Sequence, residues 1–160
     1  MENKDLFEMV TEFHQVFKQP IAISPCIPPD ERIAFRHNFI KEELLEMITA
    51  SLNKDVVEMA DGLCDVMYVL VGYILEVGVQ DRFLDLMNEV HRSNISKTCS
   101  SEREARLTIE MVEPENGSCY YKRIGDKYVV YRTSDSKVMK SISYSKPDLK
   151  KFFPELSTKK

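Results

Sequence analysis

Leu6, Met9, Val10, Phe13, Val16 and Phe17 recur at spacings of three and four residues, so the chain opens on an amphipathic helix over roughly Asp5 to Lys18. Pro20 ends it. The segment QPIAISPCIPPDE carries four prolines within ten positions and reads as an extended linker until Pro29 or Asp30 opens a second helix. That helix, about Glu31 to Leu52, sets Ile33, Ile40, Leu44, Met47 and Ile48 on one stripe. A third, about Val56 to Val77, is apolar around most of its circumference, the pattern of a helix enclosed by others, and Gly78 suits its C-terminal end. Asp81 can cap a fourth, with Phe83, Leu86, Met87 and Val90 as its buried face and its end near Asn94.

Beyond Lys97 the pattern changes. YYKRIGDKYVVYR is rich in tyrosine and valine around Gly125-Asp126 and predicts a β-hairpin. KVMKSISY adds a strand or a loop, Pro147-Asp148 starts a short last helix, and the polar end STKK is expected to fray. The prediction is an all-α fold: a bundle of four to five helices over residues 1–97, with a small C-terminal β-rich appendage, a β-hairpin and loop extension over residues 98–160, packed on that core.

The polar positions on the second and third helices carry the candidate chemistry. At about 100° per residue, Glu43 borders the apolar stripe of the second helix, Glu46 follows on the same flank, and Glu42 points further outward. On the third helix the acids Glu58, Asp61, Asp65 and Glu76 form a narrow stripe on an otherwise apolar surface. Like charges at these spacings repel, and burying them unpaired costs several kcal/mol each, so a divalent cation is the expected counter-charge. Oxygen ligands without histidine or cysteine suit Mg²⁺, with Mn²⁺ as a substitute, rather than zinc. The competing expectation is a solvated acidic face paired with lysines of a neighbouring helix. A di-iron bundle is set aside, because neither Glu43-x-x-Glu46 nor Glu58-x-x-Asp61 supplies the histidine it needs.

Composition narrows this picture. The net charge of −4 argues against a duplex nucleic-acid surface but leaves room for a nucleotide bridged by metal. MENKDLFEMV lacks the pattern of a signal peptide, and the apolar run Val66 to Leu75 is too short to span a bilayer, so no membrane partner is expected. Cys26, Cys64, Cys99 and Cys119 show no CxxC spacing and read as free thiols in a cytoplasmic protein, Cys64 as a buried one.

The order Glu42-Glu43-x-x-Glu46 and then Glu58-x-x-Asp61 in a helical run resembles the MazG-like and phosphoribosyl-ATP-pyrophosphatase-like superfamily of all-α nucleotide pyrophosphohydrolases. EMADGLCDVMYVLVGYILEVGV is similar to its third helix, EVHRSNISK to a helix-end motif of one bacterial and phage branch, and SDSKVMKSISYSKPDL to that branch's tail, with Ser136 where a glycine is usual. Thr98 to Tyr131 has no counterpart and reads as an insertion. The resemblance implies Glu43, Glu46, Glu58 and Asp61 as metal ligands, Glu42 as a further ligand or the base that activates water, and Asp65 as a residue that orients a ligand or touches substrate. It implies phosphate contacts from Asn94 and Lys97. Arg36 and His37, one turn before the acids, are further phosphate candidates, His91 and Arg92 weaker ones. His14 and Phe17 are candidates for a base pocket, with Tyr68 behind them. It also implies a homodimer or homotetramer with the site near a subunit interface.

The expected activity is Mg²⁺-dependent hydrolysis of the α–β bond of an NTP or dNTP, giving the monophosphate and pyrophosphate. Phosphoribosyl-ATP is the alternative substrate. A non-catalytic helical module that binds metal or a partner is the alternative of another class.

Overall fold

A computed structural model describes residues 4–156 of the 160, so the STKK end lies outside the described residues. Among the described residues the order of main elements is α1 (Leu6–Val16), α2 (Asp30–Leu52), α3 (Val56–Val77), α4 (Phe83–Ile95), α5 (Glu102–Asn116), β1 (Cys119–Ile124) and β2 (Lys127–Arg132). The fold is all-α with a small two-stranded antiparallel sheet near the C-terminus, as the periodicity predicts.

The helix ends follow from local chemistry. Asp5 and Glu8 close a reciprocal capping box at α1, each carboxylate accepting the other's backbone N–H at 2.9 Å. Asp55 caps α3 by accepting from the N–H groups of Val57 and Glu58. Gly78 ends α3 at φ 73°, a left-handed geometry natural to glycine. The proline-rich linker satisfies α3's last carbonyls, with the N–H groups of Ala22 and Cys26 donating to Leu75 and Val77.

The chain forms two compact units, Met1–Phe83 and Leu84–Lys160. The division falls at the start of α4 rather than after Lys97. α4 belongs with the tail because its buried face is polar, not the apolar face expected of Leu86, Met87 and Val90: Glu89 and Ser93 are its buried residues. Glu89 accepts from Arg92, the Asp148 N–H and Lys151. In the first unit α1 and α2 pack on α3, and Val10, Val71 and Leu75 form the core. In the second, Cys99, Ala105, Val112, Val130 and Met139 pack between α5 and the hairpin.

Several expectations are corrected. The Thr98–Tyr131 segment holds a helix, α5, that the expected β-hairpin and loop extension did not include, and α5 and the hairpin build the core of the second unit. Asp81 lies within a 3₁₀ turn, Gln80–Arg82, rather than capping α4. KVMKSISY takes the loop alternative, with a single bridge from Val138 to Tyr131, whereas the expected last helix is two 3₁₀ turns. Cys64 is exposed and Cys99 is the buried thiol, all four cysteines being free. α3 is not enclosed along its length: Val56, Val57, Leu63, Met67 and Leu70 are exposed, and apart from Gly62 its buried residues fall between Val69 and Glu76. Among the described residues no single helix is long and apolar enough to cross a membrane.

Candidate active site

α2 and α3 are joined by a short turn and run side by side, so their acids form a ladder. Glu43 on α2 is half-buried, while Glu42, Glu46, Glu58, Asp61 and Asp65 are exposed. The carboxyl of Glu43 is held above its ordinary value, first by burial and then by the negative charges of Asp65, Glu46, Glu42 and Asp61. Four acids from the two helices thus lie close enough to Glu43 for their charge to act on it. Glu58 stands at the far end of the ladder, where it lines an open groove of about 400 Å³ with Glu46, Thr49, Asn53 and Asp55.

These acids differ from the carboxylates elsewhere in the chain. Among the described residues none of the six accepts a hydrogen bond through its side chain or forms an ion pair. Glu76, which the sequence groups with the same stripe, is separate from them: buried, it takes Arg36 in an ion pair at 2.6 Å and Arg32 in a second one. Burial alone would raise its carboxyl, but the hydrogen bonds from both arginines hold it below the ordinary value. The argument that burial of the stripe demands a cation thus applies to Glu76 alone, and arginine answers it there. For the other acids the reason is mutual repulsion without a protein cation. No lysine of a neighbouring helix pairs with them among the described residues.

The donor set fits a hard divalent ion: carboxylate oxygens only, exposed enough to keep water on the ion. Among the described residues, no three acidic, histidine or cysteine side chains stand close enough together to hold a metal in the present side-chain arrangement.

Beside Glu43 and Asp65 lies a cavity of about 310 Å³ walled by Phe13, Phe39, Tyr68, Val10 and Val69, with His14 and Arg36 at its polar side. This is at the lower end of the range of about 300–1,000 Å³ that holds small ligands. Phe13 meets Tyr68 edge to face at 5.6 Å and lies tilted against Phe17 at 4.4 Å. Phe17 itself is 59% exposed and does not line the cavity. His14 donates from Nδ1 to the Pro20 carbonyl at 2.8 Å and accepts from Arg36 at 3.0 Å, which fixes its neutral tautomer. Burial, ahead of the opposing Pro20 bond and the charge of Arg36, pushes its pKa down.

Arg36, expected to meet phosphate, is buried at 4% exposure, its guanidinium donating to Glu76 and His14. His37 instead faces the Tyr73 hydroxyl at 3.4 Å. His91 is exposed, and Arg92 is engaged by Glu89 and the Lys146 carbonyl. Asn94 and Lys97 belong to the second unit, where the Lys97 ammonium donates to Asn94 Oδ1 at 2.7 Å. Phe13 and Phe39 were not singled out by sequence. The signal was there for Phe39, four residues before Glu43 and so on the same face of α2.

The family model for phosphoribosyl-ATP pyrophosphohydrolase matches residues 10–94, which takes in most of α1, all of α2 and α3, α4 as far as Asn94, and every acid of the ladder. The chain belongs to this family. It is a nucleotide pyrophosphohydrolase, an enzyme that cleaves phosphoric anhydride bonds. A search of curated proteins finds no match. Lys97, α5 and the hairpin lie outside the stretch that the phosphoribosyl-ATP pyrophosphohydrolase model covers.

Proposed function

We propose that the chain hydrolyses a nucleoside or deoxynucleoside triphosphate between the α and β phosphates, releasing the monophosphate and pyrophosphate, with Mg²⁺ or Mn²⁺ as cofactor. One observation carries the reading: unpartnered acids from two helices, Glu43 and Asp65, line an aromatic cavity. Phe13, Phe39 and Tyr68 offer faces and edges for a base, and Glu43 and Asp65 meet what emerges from the cavity. The first unit holds fifteen Asp and Glu against seven Lys and Arg, so a polyphosphate meets net repulsion unless cations come with it. Glu43, Glu46, Glu58 and Asp61 are the proposed ligands; when bound, the ion offsets phosphate charge and lowers the pKa of a water. Glu42 is free to accept that water's proton, and Asp65 to orient a neighbouring ligand.

The family match favours a second reading, phosphoribosyl-ATP as substrate, through the same acids and bond type. A panel of canonical and modified nucleoside triphosphates, with phosphoribosyl-ATP, assayed for pyrophosphate release with and without Mg²⁺ separates the two. No turnover of any nucleotide, with calorimetric Mg²⁺ binding intact, would instead favour a non-catalytic metal-binding module.

Exposed Leu44, Leu45, Ile48 and Leu52 on α2, beside exposed Val56, Val57, Leu63 and Met67 on α3, support a homodimer or homotetramer built over these helices. Light scattering of the purified chain tests it; a monomer at micromolar concentration overturns it. Four free thiols suit a cytoplasmic setting.

A further inference from the structure

α2 and α3 approach each other closely inside the acid ladder. Gly62 follows Asp61 directly, and Met47 follows Glu46. A Cβ built on Gly62 would stand 2.9 Å from both Cα and Cβ of Met47 and 3.2 Å from its backbone nitrogen. Two of those atoms are main chain of a helix and cannot swing aside, so any larger residue must move one helix relative to the other. Gly62 has an ordinary helical backbone, which alanine would adopt more readily, so backbone conformation gives no reason for glycine there. The other glycine inside α3, Gly72, makes room for side chains instead, the Arg36 guanidinium and the His14 ring.

We infer that Gly62 is a positioning residue: it sets the separation of Glu43 and Glu46 from Asp61 and Asp65, and thereby their shared grip on a divalent cation. The inference rests on the reading of these acids as a metal site. Ligand oxygens must meet one ion from two helices within a few tenths of an ångström, and the shift forced by one methyl at Gly62 is at least that large. The helix itself gains from the substitution, so lost function would trace to the spacing between helices rather than to helix formation.

The test is Mn²⁺ affinity, read by calorimetry and by the electron paramagnetic resonance of free Mn²⁺, on the full chain without nucleotide. Gly62→Ala is expected to weaken Mn²⁺ by about 10- to 100-fold, the range found when support behind metal ligands is lost, while far-ultraviolet circular dichroism stays helical. Leu75→Val, in the core cluster of the same helix, controls for lost stability and should keep its affinity within about twofold. Met47→Ile, which branches the Cβ facing Gly62, crowds the contact from the other helix and is expected to weaken Mn²⁺ by a smaller factor. Wild-type affinity in folded Gly62→Ala, or in Met47→Ile should Gly62→Ala fail to fold, overturns the inference and leaves the metal site standing. A wild-type chain that is folded and binds no Mn²⁺ removes the metal reading and this inference with it.

Discussion

Glu76 is the buried charge on which the first unit turns, and Glu76→Gln tests how. The wild-type carboxylate is 3% exposed and accepts from Arg36 at 2.6 and 2.8 Å and from Arg32 Nε at 3.1 Å. Arg36 is equally dry, and its remaining partner is a neutral His14. Glutamine keeps the shape and one acceptor oxygen but leaves a buried guanidinium without counter-charge. Breaking a buried pair from one side costs about 3–5 kcal/mol. Arg32, 27% exposed, can turn to water and adds at most about 1 kcal/mol. We take the lower end, about 3 kcal/mol, because glutamine retains a hydrogen bond. At about 2–4 °C per kcal/mol for a chain of this size, the thermal midpoint falls by about 6–12 °C. Thermal unfolding followed by circular dichroism at neutral pH measures it. The double variant Glu76→Leu with Arg36→Met should recover most of the loss, since a buried ion pair is often replaceable by apolar groups of similar volume. A midpoint within about 2 °C of wild type for Glu76→Gln would refute the argument.

The same network predicts a pH dependence through His14. Its folded pKa lies below the ordinary 6.5, so its contribution is complete above that value and is lost as pH falls toward the folded one. The wild-type midpoint should drop as pH falls below about 6.5, and His14→Asn should flatten that decline; equal slopes in both would assign the acid loss elsewhere. Glu43→Gln should abolish cation-dependent pyrophosphate release yet raise stability by a few tenths of a kcal/mol, because it relieves like-charge repulsion on the ladder. Urea midpoints and a pyrophosphate assay read the two effects, and a clear loss of stability would mean Glu43 has a structural partner. Phe13→Ala should raise KM far more than it lowers kcat if the aromatic cavity holds the base; an unchanged KM would empty that cavity of its role. In the second unit, Glu89→Gln should speed hydrogen exchange at the Asp148 amide, which donates to that carboxylate at 2.8 Å. Unchanged protection there would place the tail's anchor elsewhere.

Much of the fold could be read along the chain because helix ends are local events. Asp55 and Gly78 bracket α3 at the residues that capping chemistry assigns, and Gly125-Asp126 turns the hairpin where a two-residue loop was expected. α5 was legible too, through Ser101 and Glu104, which make the S-x-x-E start of a helix, followed by Ala105, Thr108 and Val112 on one face. Charged residues fill the rest of that helix and hide its apolar stripe.

The acids of the site were named from sequence, since spacings of three and four on a helix fix which side chains share a face. Their environment was not. The helical wheel puts Glu76 in one stripe with Glu58, Asp61 and Asp65, but only the packing of α1 and the linker over the C-terminal half of α3 makes Glu76 buried and arginine-bound, while the N-terminal half leaves its acids open. Arg36 looks like a free cation one turn from an acidic patch until Glu76, forty residues away, is brought against it. The aromatic cavity draws Phe13, Phe39 and Tyr68 from three helices, and no periodicity within one helix relates residues on another. Local hydrogen bonding and side-chain phase are properties of a segment, so the sequence alone determined the helices, the turn and the acidic ladder. Burial, pairing and the choice of which charges stay free depend on contacts between distant segments, and only the tertiary structure decided them.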